Sequence, residues 1–134
     1  TYQWANEKIT LKNSIIGKKI SLKEHTIWFR KYLKAKNNIM KIIYLNKNPI
    51  GLIRLDKNYG SFYISYLIDK NFRGKGRAYN ALYKFIKKIQ NMKKIKKIFA
   101  LVKKNNIPSI KIFNKLNFIL IAKKKSFFKY SYKV

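Results

Sequence analysis

The chain contains no cysteine among its 134 residues. That excludes a disulfide framework, a thiolate metal site and a cysteine nucleophile. Acid is almost as scarce: four carboxylates (Glu7, Glu24, Asp56 and Asp69) stand against 33 lysines and arginines, with one histidine, His25. The set of side chains able to take a proton near neutral pH is therefore short, and no metal site is expected. No apolar run approaches the ~20 residues needed to cross a bilayer, and nothing resembles a signal peptide. A cytoplasmic location without a membrane partner is the default expectation. The length suits a single domain over residues 1–134, and a start at Thr1 rather than Met is what a fragment or one domain of a longer protein would show. Glycine is rare too, five in all, yet Gly74 and Gly76 stand one residue apart.

The excess of base gives a formal net charge of +29, which raises a nucleic-acid reading. Lys, Ile and Asn make up nearly half the chain, and all three have A/T-rich codons, so coding bias explains much of the charge. The lysines are spread along the whole length. Arginine, which reads bases and phosphates bidentately, occurs four times. Nucleic acid is expected only as a non-specific partner at low salt. A basic nucleic-acid-binding module is the rival from outside the enzymes.

The paired glycines fall inside the segment that organises the chain. Residues 61–69 are aromatic and β-branched and read as a strand. Phe72-Arg73-Gly74-Lys75-Gly76-Arg77-Ala78 reads as a basic turn. Ala78, Leu82, Phe85, Ile86 and Ile89 then fall on one stripe of a helix of about three turns. A strand entering a glycine turn that opens a helix exposes backbone N–H groups at the positive end of the helix dipole, which suits phosphate. A Walker loop is excluded by the glycine spacing and the missing Lys-Ser/Thr. A dinucleotide fingerprint is excluded by Tyr79 in place of the third glycine and by lysines where an acid is needed. The bland alternative is a tight turn whose lysines point into solvent.

Around this segment, Trp4 to Ser14 reads as a helix end running into a loop at Gly17. Ser21-Leu22-Lys23-Glu24 reads as a capping box opening a helix with Leu22, His25, Phe29, Tyr32 and Leu33 on its apolar side and Trp28 beside them. Ile39–Leu45 and Ile50–Leu55 read as a hairpin across Asn46-Lys47-Asn48-Pro49. Ile98–Val102, a short apolar run bounded by polar residues, reads as a buried strand. Pro108 fits the first turn of a helix carrying Ile110, Phe113 and Leu116, which Asn117 ends in a left-handed conformation. Phe118–Ala122 and Phe127–Tyr132 close the chain as a second hairpin.

Arg73, Gly76 and Ala78 satisfy Arg-x-x-Gly-x-Ala. This resembles the acetyl-CoA pyrophosphate loop of the GNAT superfamily of N-acetyltransferases, which lies between that family's fourth strand and the next helix. The order of elements resembles the family as well, and Asn106-Ile-Pro-Ser109-Ile-Lys-Ile-Phe113-Asn-Lys115-Leu-Asn117-Phe118 is similar to its second CoA motif. The resemblance implies an α/β fold, a mixed central sheet with helices on both faces, the family's first strand being missing here. It implies acetyl-CoA as co-substrate, with no metal, and a small-molecule amine as acceptor. Gly74 to Ala78 would bind pyrophosphate, with Arg73, Lys75 and Arg77 adding charge. The backbone of Tyr66, Leu67 and Ile68 would pair with pantetheine, and Asn106, Ser109, Phe113 and Lys115 would lie along it. Trp4-x-Asn6, Lys12-Asn13-Ser14 and Ser21-Leu-x-Glu24-His25-x-x-Trp28-Phe29 resemble acetyltransferases of nucleotide-linked amino sugars, as in pseudaminic acid synthesis. Acetylation of a protein amine, as on a ribosomal protein, is the other enzymatic reading. His25, Glu7 and Tyr66 are the catalytic candidates, although a lone His on an apolar helix face is more often packed. Asp69 reads as a turn residue. The family's thiolate-protonating Tyr is Phe113 here, which leaves Tyr63, Tyr66, Tyr79, solvent or the amine to supply the proton. The oligomeric state is left open, a homodimer included.

Overall fold

The computed structural model describes residues 2–7 and 18–134. The Lys12-Asn13-Ser14 element and the loop expected at Gly17 lie outside them. The chain runs α1 (Tyr2–Ala5), α2 (Leu22–Lys34), β1 (Ile39–Leu45), β2 (Asn48–Asn58) and β3 (Ser61–Ile68), then a 3-10 turn (Lys70–Phe72) and α3 (Arg77–Ile89). After these come β4 (Lys97–Lys103), α4 (Ile107–Lys115), β5 (Ile119–Lys123) and β6 (Phe127–Lys133). Among the described residues six strands form one sheet, ordered β1-β2-β3-β4-β6-β5. All neighbours are antiparallel except β3 and β4.

Local chemistry explains most boundaries. The β1–β2 turn is two residues, Asn46 and Lys47, both left-handed (φ 49° and 73°), which matches the twist of the flanking strands. Asn48 and Pro49, expected in the turn, instead begin β2. Pro49 is tolerated because it pairs with Tyr44 where the register shifts, and a bulge needs no donor there. Tyr59 and Gly60 turn β2 into β3 in the same left-handed way. The capping box forms as the sequence suggests: Glu24 N–H donates to Ser21 Oγ at 3.1 Å and Ser21 N–H to Glu24 Oε2 at 2.9 Å.

The main core lies on one face of the sheet. Ile53, Leu55 and Ile64 meet Leu82, Phe85, Ile86 and Ile89 of α3, all buried. Each such side chain contributes about 1.5–3 kcal/mol of transfer free energy. The opposite face carries α2: Arg54, between Ile53 and Leu55, lies over the Trp28 ring at 5.0 Å. The buried side of α2 is His25 and Tyr32, whereas Leu22 and Leu33, expected inside, are exposed. Leu22 is the first residue of the helix, and Leu33 is turned off the face on which its neighbour Tyr32 donates to the Ile39 carbonyl of β1. β4 also departs from expectation. Ile98, Ala100 and Val102 are buried but Leu101 is exposed, so the strand packs on one face, because α2 pairs with the other half of the sheet.

Candidate active site

The site is built where β3 leaves β4. Only Phe62 with Ile98 and Tyr63 with Phe99 pair between them, so the parallel ladder stops at Tyr63 and the strands part. Asp69 N–H donates to the Ile50 carbonyl at 2.6 Å. By strand alternation Leu67 also turns its backbone to β2, and Tyr66 and Ile68 turn theirs into the opening. Of the three residues expected along pantetheine, Tyr66 and Ile68 turn their backbone into the opening and Leu67 turns its to β2. The Ile68 carbonyl is taken by Arg73 Nε at 3.0 Å.

Below the opening, Asp69 caps the 3-10 turn by accepting from Asn71 N–H at 2.9 Å. That bond is the main reason its carboxyl stays below the usual range, with a second from Trp4. Gly74, Lys75 and Gly76 follow in three successive left-handed conformations, φ 83°, 56° and 70°. Glycine adopts these freely, but Lys75 does so at a cost of about 1 kcal/mol. Gly76 precedes α3 without any side-chain cap. Among the described residues, no acceptor is met by the N–H groups of Gly74, Lys75, Gly76, Ala78 and Tyr79. A Cβ built at Gly74 or Gly76 would touch nothing within 4 Å. Free donors, open space and a helix N-terminus together fit a pyrophosphate.

The flanking arginines are used differently from the sequence reading. Arg73 gives both terminal nitrogens to Glu7, one at 3.0 Å to Oε1 and the other to Oε2. Arg77 donates to the Phe72 carbonyl at 3.2 Å and lies over the Phe72 ring. Both brace the turn, which leaves its backbone and the exposed Lys75 to meet an anion. Trp4 Nε1 donates to Asp69 Oδ2 at 2.8 Å. The Asn6 side chain exchanges two 2.9 Å bonds with the Ile20 backbone. The N-terminal segment is thus strapped across the start of the turn. Sequence reasoning named Trp4, Asn6 and Glu7 but not these partners. The partners of Trp4 and Glu7 lie 65 and 66 residues away along the chain, and no local signal pointed to them.

On the other wall, Asn106 caps α4 by accepting from Ser109 N–H at 3.3 Å. Ser109 is buried, and its hydroxyl lies 2.5 Å from the Tyr66 hydroxyl. Phe113, one turn on, is enclosed by Tyr66, Phe118 and Tyr130. Lys115 extends over the Tyr79 ring at 4.2 Å. Burial raises the Tyr66 phenol above its ordinary value, partly offset by Ser109 and by the Arg73 charge. His25 stands apart from this group, packed among Tyr2, Trp28 and Phe29 with ring centroids at 5.6–6.0 Å. Burial lowers its pKa. A cleft of about 410 Å³ between the strap and the first hairpin, lined by Gln3, Trp4, Ile42, Tyr44, Pro49 and Asp69, contains none of the expected site residues.

A mixed sheet opened beside a glycine turn with free amides, with a second helix flanking the gap, is an α/β arrangement that fits an extended phosphorylated co-substrate. Residues 1–119 match the acetyltransferase (GNAT) domain, and the protein belongs to that family of acetyltransferases. No curated protein matches the chain. Solved structures do. A domain from Methanocaldococcus jannaschii superposes with TM-score 0.85 at 23% identity over 99% of this chain and 89% of its own. Campylobacter jejuni N-acetyltransferase PseH, in complex with acetyl coenzyme A, gives 0.71 at 20% over 83% and 78%. RimL, a ribosomal L7/L12 α-N-protein acetyltransferase in complex with coenzyme A, gives 0.86 at 13% over 99% and 84%. Among the described residues no helix is long and apolar enough to cross a membrane, and no cluster of His, Asp or Glu could hold a metal ion.

Proposed function

We propose that the chain moves the acetyl group of acetyl-CoA to the primary amine of a nucleotide-linked amino sugar. The observation that carries the acetyl-CoA half is the turn at Gly74–Ala78, whose unpartnered amides stand directly below the opened β3–β4 edge. The turn would hold pyrophosphate. The Tyr66 and Ile68 backbones would hold the pantetheine amides and present an N–H to the thioester oxygen, which stabilises charge developing there. Acetyl-CoA supplies the activated acyl group, and this chain's residues orient it and exclude water. Arg73 acts through the turn: fixed by Glu7 and Ile68, it sets the turn's entry. His25, buried among rings, is better read as packing than as the base.

Two points support the amino-sugar acceptor. The N-terminal Trp4, Asn6 and Glu7, which resemble amino-sugar acetyltransferases, are fixed against the turn. A net charge of +29 also draws an acceptor carrying a nucleotide diphosphate. A second reading, acetylation of a protein α-amine, is favoured by the fuller backbone overlap with RimL than with PseH. Calorimetry should give an acetyl-CoA Kd of roughly 1 µM–1 mM. A thiol-release assay with a nucleotide-linked amino sugar and a free-N-terminus peptide separates the acceptors. Release with the peptide alone overturns the sugar, and absence of acetyl-CoA binding overturns the enzyme.

A further inference from the structure

Aminolysis of a thioester forms a C–N bond and breaks a C–S bond, and the sulfur leaves with the electron pair. That thiolate needs a proton if it is to leave as a thiol. The three tyrosines near the turn are separated by the structure. Tyr63 stacks on Phe99 with Lys129 beside it at 5.6 Å, on the sheet face away from α3. Tyr79 stacks on Tyr83 and is covered by Lys115. Tyr66 alone of the three crosses the opening. It lies three residues beyond the last β3–β4 pair, and its hydroxyl meets Ser109 of α4 at 2.5 Å.

We propose that the Tyr66 hydroxyl, held by Ser109, protonates the departing CoA thiolate, so that the acid this reaction uses sits on β3 rather than on α4. The inference rests on the acetyltransferase reading above. Phe113, the residue on α4 at this level, has no proton to give, and its ring lies 6.0 Å from that of Tyr66. The Tyr66 O–H bond breaks as the S–H bond forms. The phenolate is reprotonated from solvent through the Ser109 hydroxyl, while the proton lost by the attacking amine goes to solvent, so charge and atoms balance. A phenol is protonated at neutral pH, and the nearby Arg73 charge stabilises the phenolate that forms briefly.

The test uses coenzyme A itself, with the thiolate's ultraviolet absorbance as a readout independent of turnover. A phenol donating to the sulfur stabilises the thiolate. The thiol of CoA bound to wild-type protein should therefore ionise at least one pH unit lower than when bound to Tyr66→Phe. With the acceptor returned by the thiol-release assay, kcat should fall about 100-fold or more in Tyr66→Phe, while the acetyl-CoA Kd changes less than threefold. Tyr66→Phe with Phe113→Tyr, which returns a phenol to the neighbouring ring, should recover at least tenfold of the lost kcat. A bracing role for the Tyr66–Ser109 contact would lower the melting temperature but move neither the thiol titration nor this recovery. Equal thiol titrations in the two proteins, or unchanged kcat, overturn the Tyr66 role alone. Failure of wild-type protein to bind CoA overturns it together with the acetyltransferase reading.

Discussion

Replacing Gly76 separates what the turn contributes to folding from what it contributes to binding. Gly76 sits at φ 70° and ψ 15° at the head of α3. A non-glycine residue pays about 1–2 kcal/mol in that conformation. No steric clash adds to this, because a Cβ there meets nothing within 4 Å. Gly76→Val should therefore lower the melting temperature of a chain this size by about 4–10 °C and no more. Binding should suffer further, since the isopropyl group fills the space over the free amides. Loss of two charge-assisted hydrogen bonds, each contributing about 1.5–3 kcal/mol, corresponds to at least a ~100-fold rise in acetyl-CoA Kd. Gly76→Asn is the control: asparagine tolerates the left-handed region, so stability should change little while affinity still falls. Calorimetry and thermal unfolding on the three proteins give both quantities. A Gly76→Val protein that melts lower but binds acetyl-CoA within threefold of wild type would refute the assignment of the turn to phosphate.

Three further outcomes follow from the packing. Gly51→Ala places a Cβ against the Leu67 carbonyl oxygen and the Ile68 Cα; the β2–β3 pair must shift, and urea denaturation should show about 1–3 kcal/mol lost. Glu7→Gln removes the carboxylate from a half-buried bidentate pair with Arg73 and should cost about 1–2 kcal/mol by the same assay. His25 has its pKa lowered by burial from the ordinary 6.5, so below 6.5 the unfolded chain binds the proton more readily than the folded one. Stability should fall as pH drops through that value, and His25→Phe should flatten the urea midpoint between pH ~7.5 and ~5.5.

The elements were legible because their signals are local. Ser21 and Glu24 close a box within four residues, Asn117 ends α4 where the chain needs a left-handed residue, and Phe118 N–H reaches back to the Phe113 carbonyl at 3.0 Å. Burial was less legible. Leu22, Leu33 and Leu101 are apolar at the expected period yet exposed. Periodicity says which residues share a face. It does not say where the partner element ends.

The site divides along the same line. Gly74 and Gly76 could be found from sequence because two glycines one residue apart stand out in a chain that has five, and glycine enters the left-handed region at no steric cost. Arg73 and Arg77 were read as charge for the ligand because a charged side chain in a phosphate motif suggests that use. Their guanidinium groups are held by the Ile68 and Phe72 carbonyls, five residues away in each case, and, for Arg73, by Glu7, which only folding brings near across 66 residues. Tyr66 shows the opposite. The sequence named Tyr66 as a catalytic candidate but left Tyr63, Tyr66 and Tyr79 open as the source of the thiolate's proton. The choice came from the sheet's parting at Tyr63 and from Ser109 lying on the far wall of the gap. Strand divergence is a property of register between distant segments, so the acid of a reaction housed in that gap is fixed by topology before any motif names it.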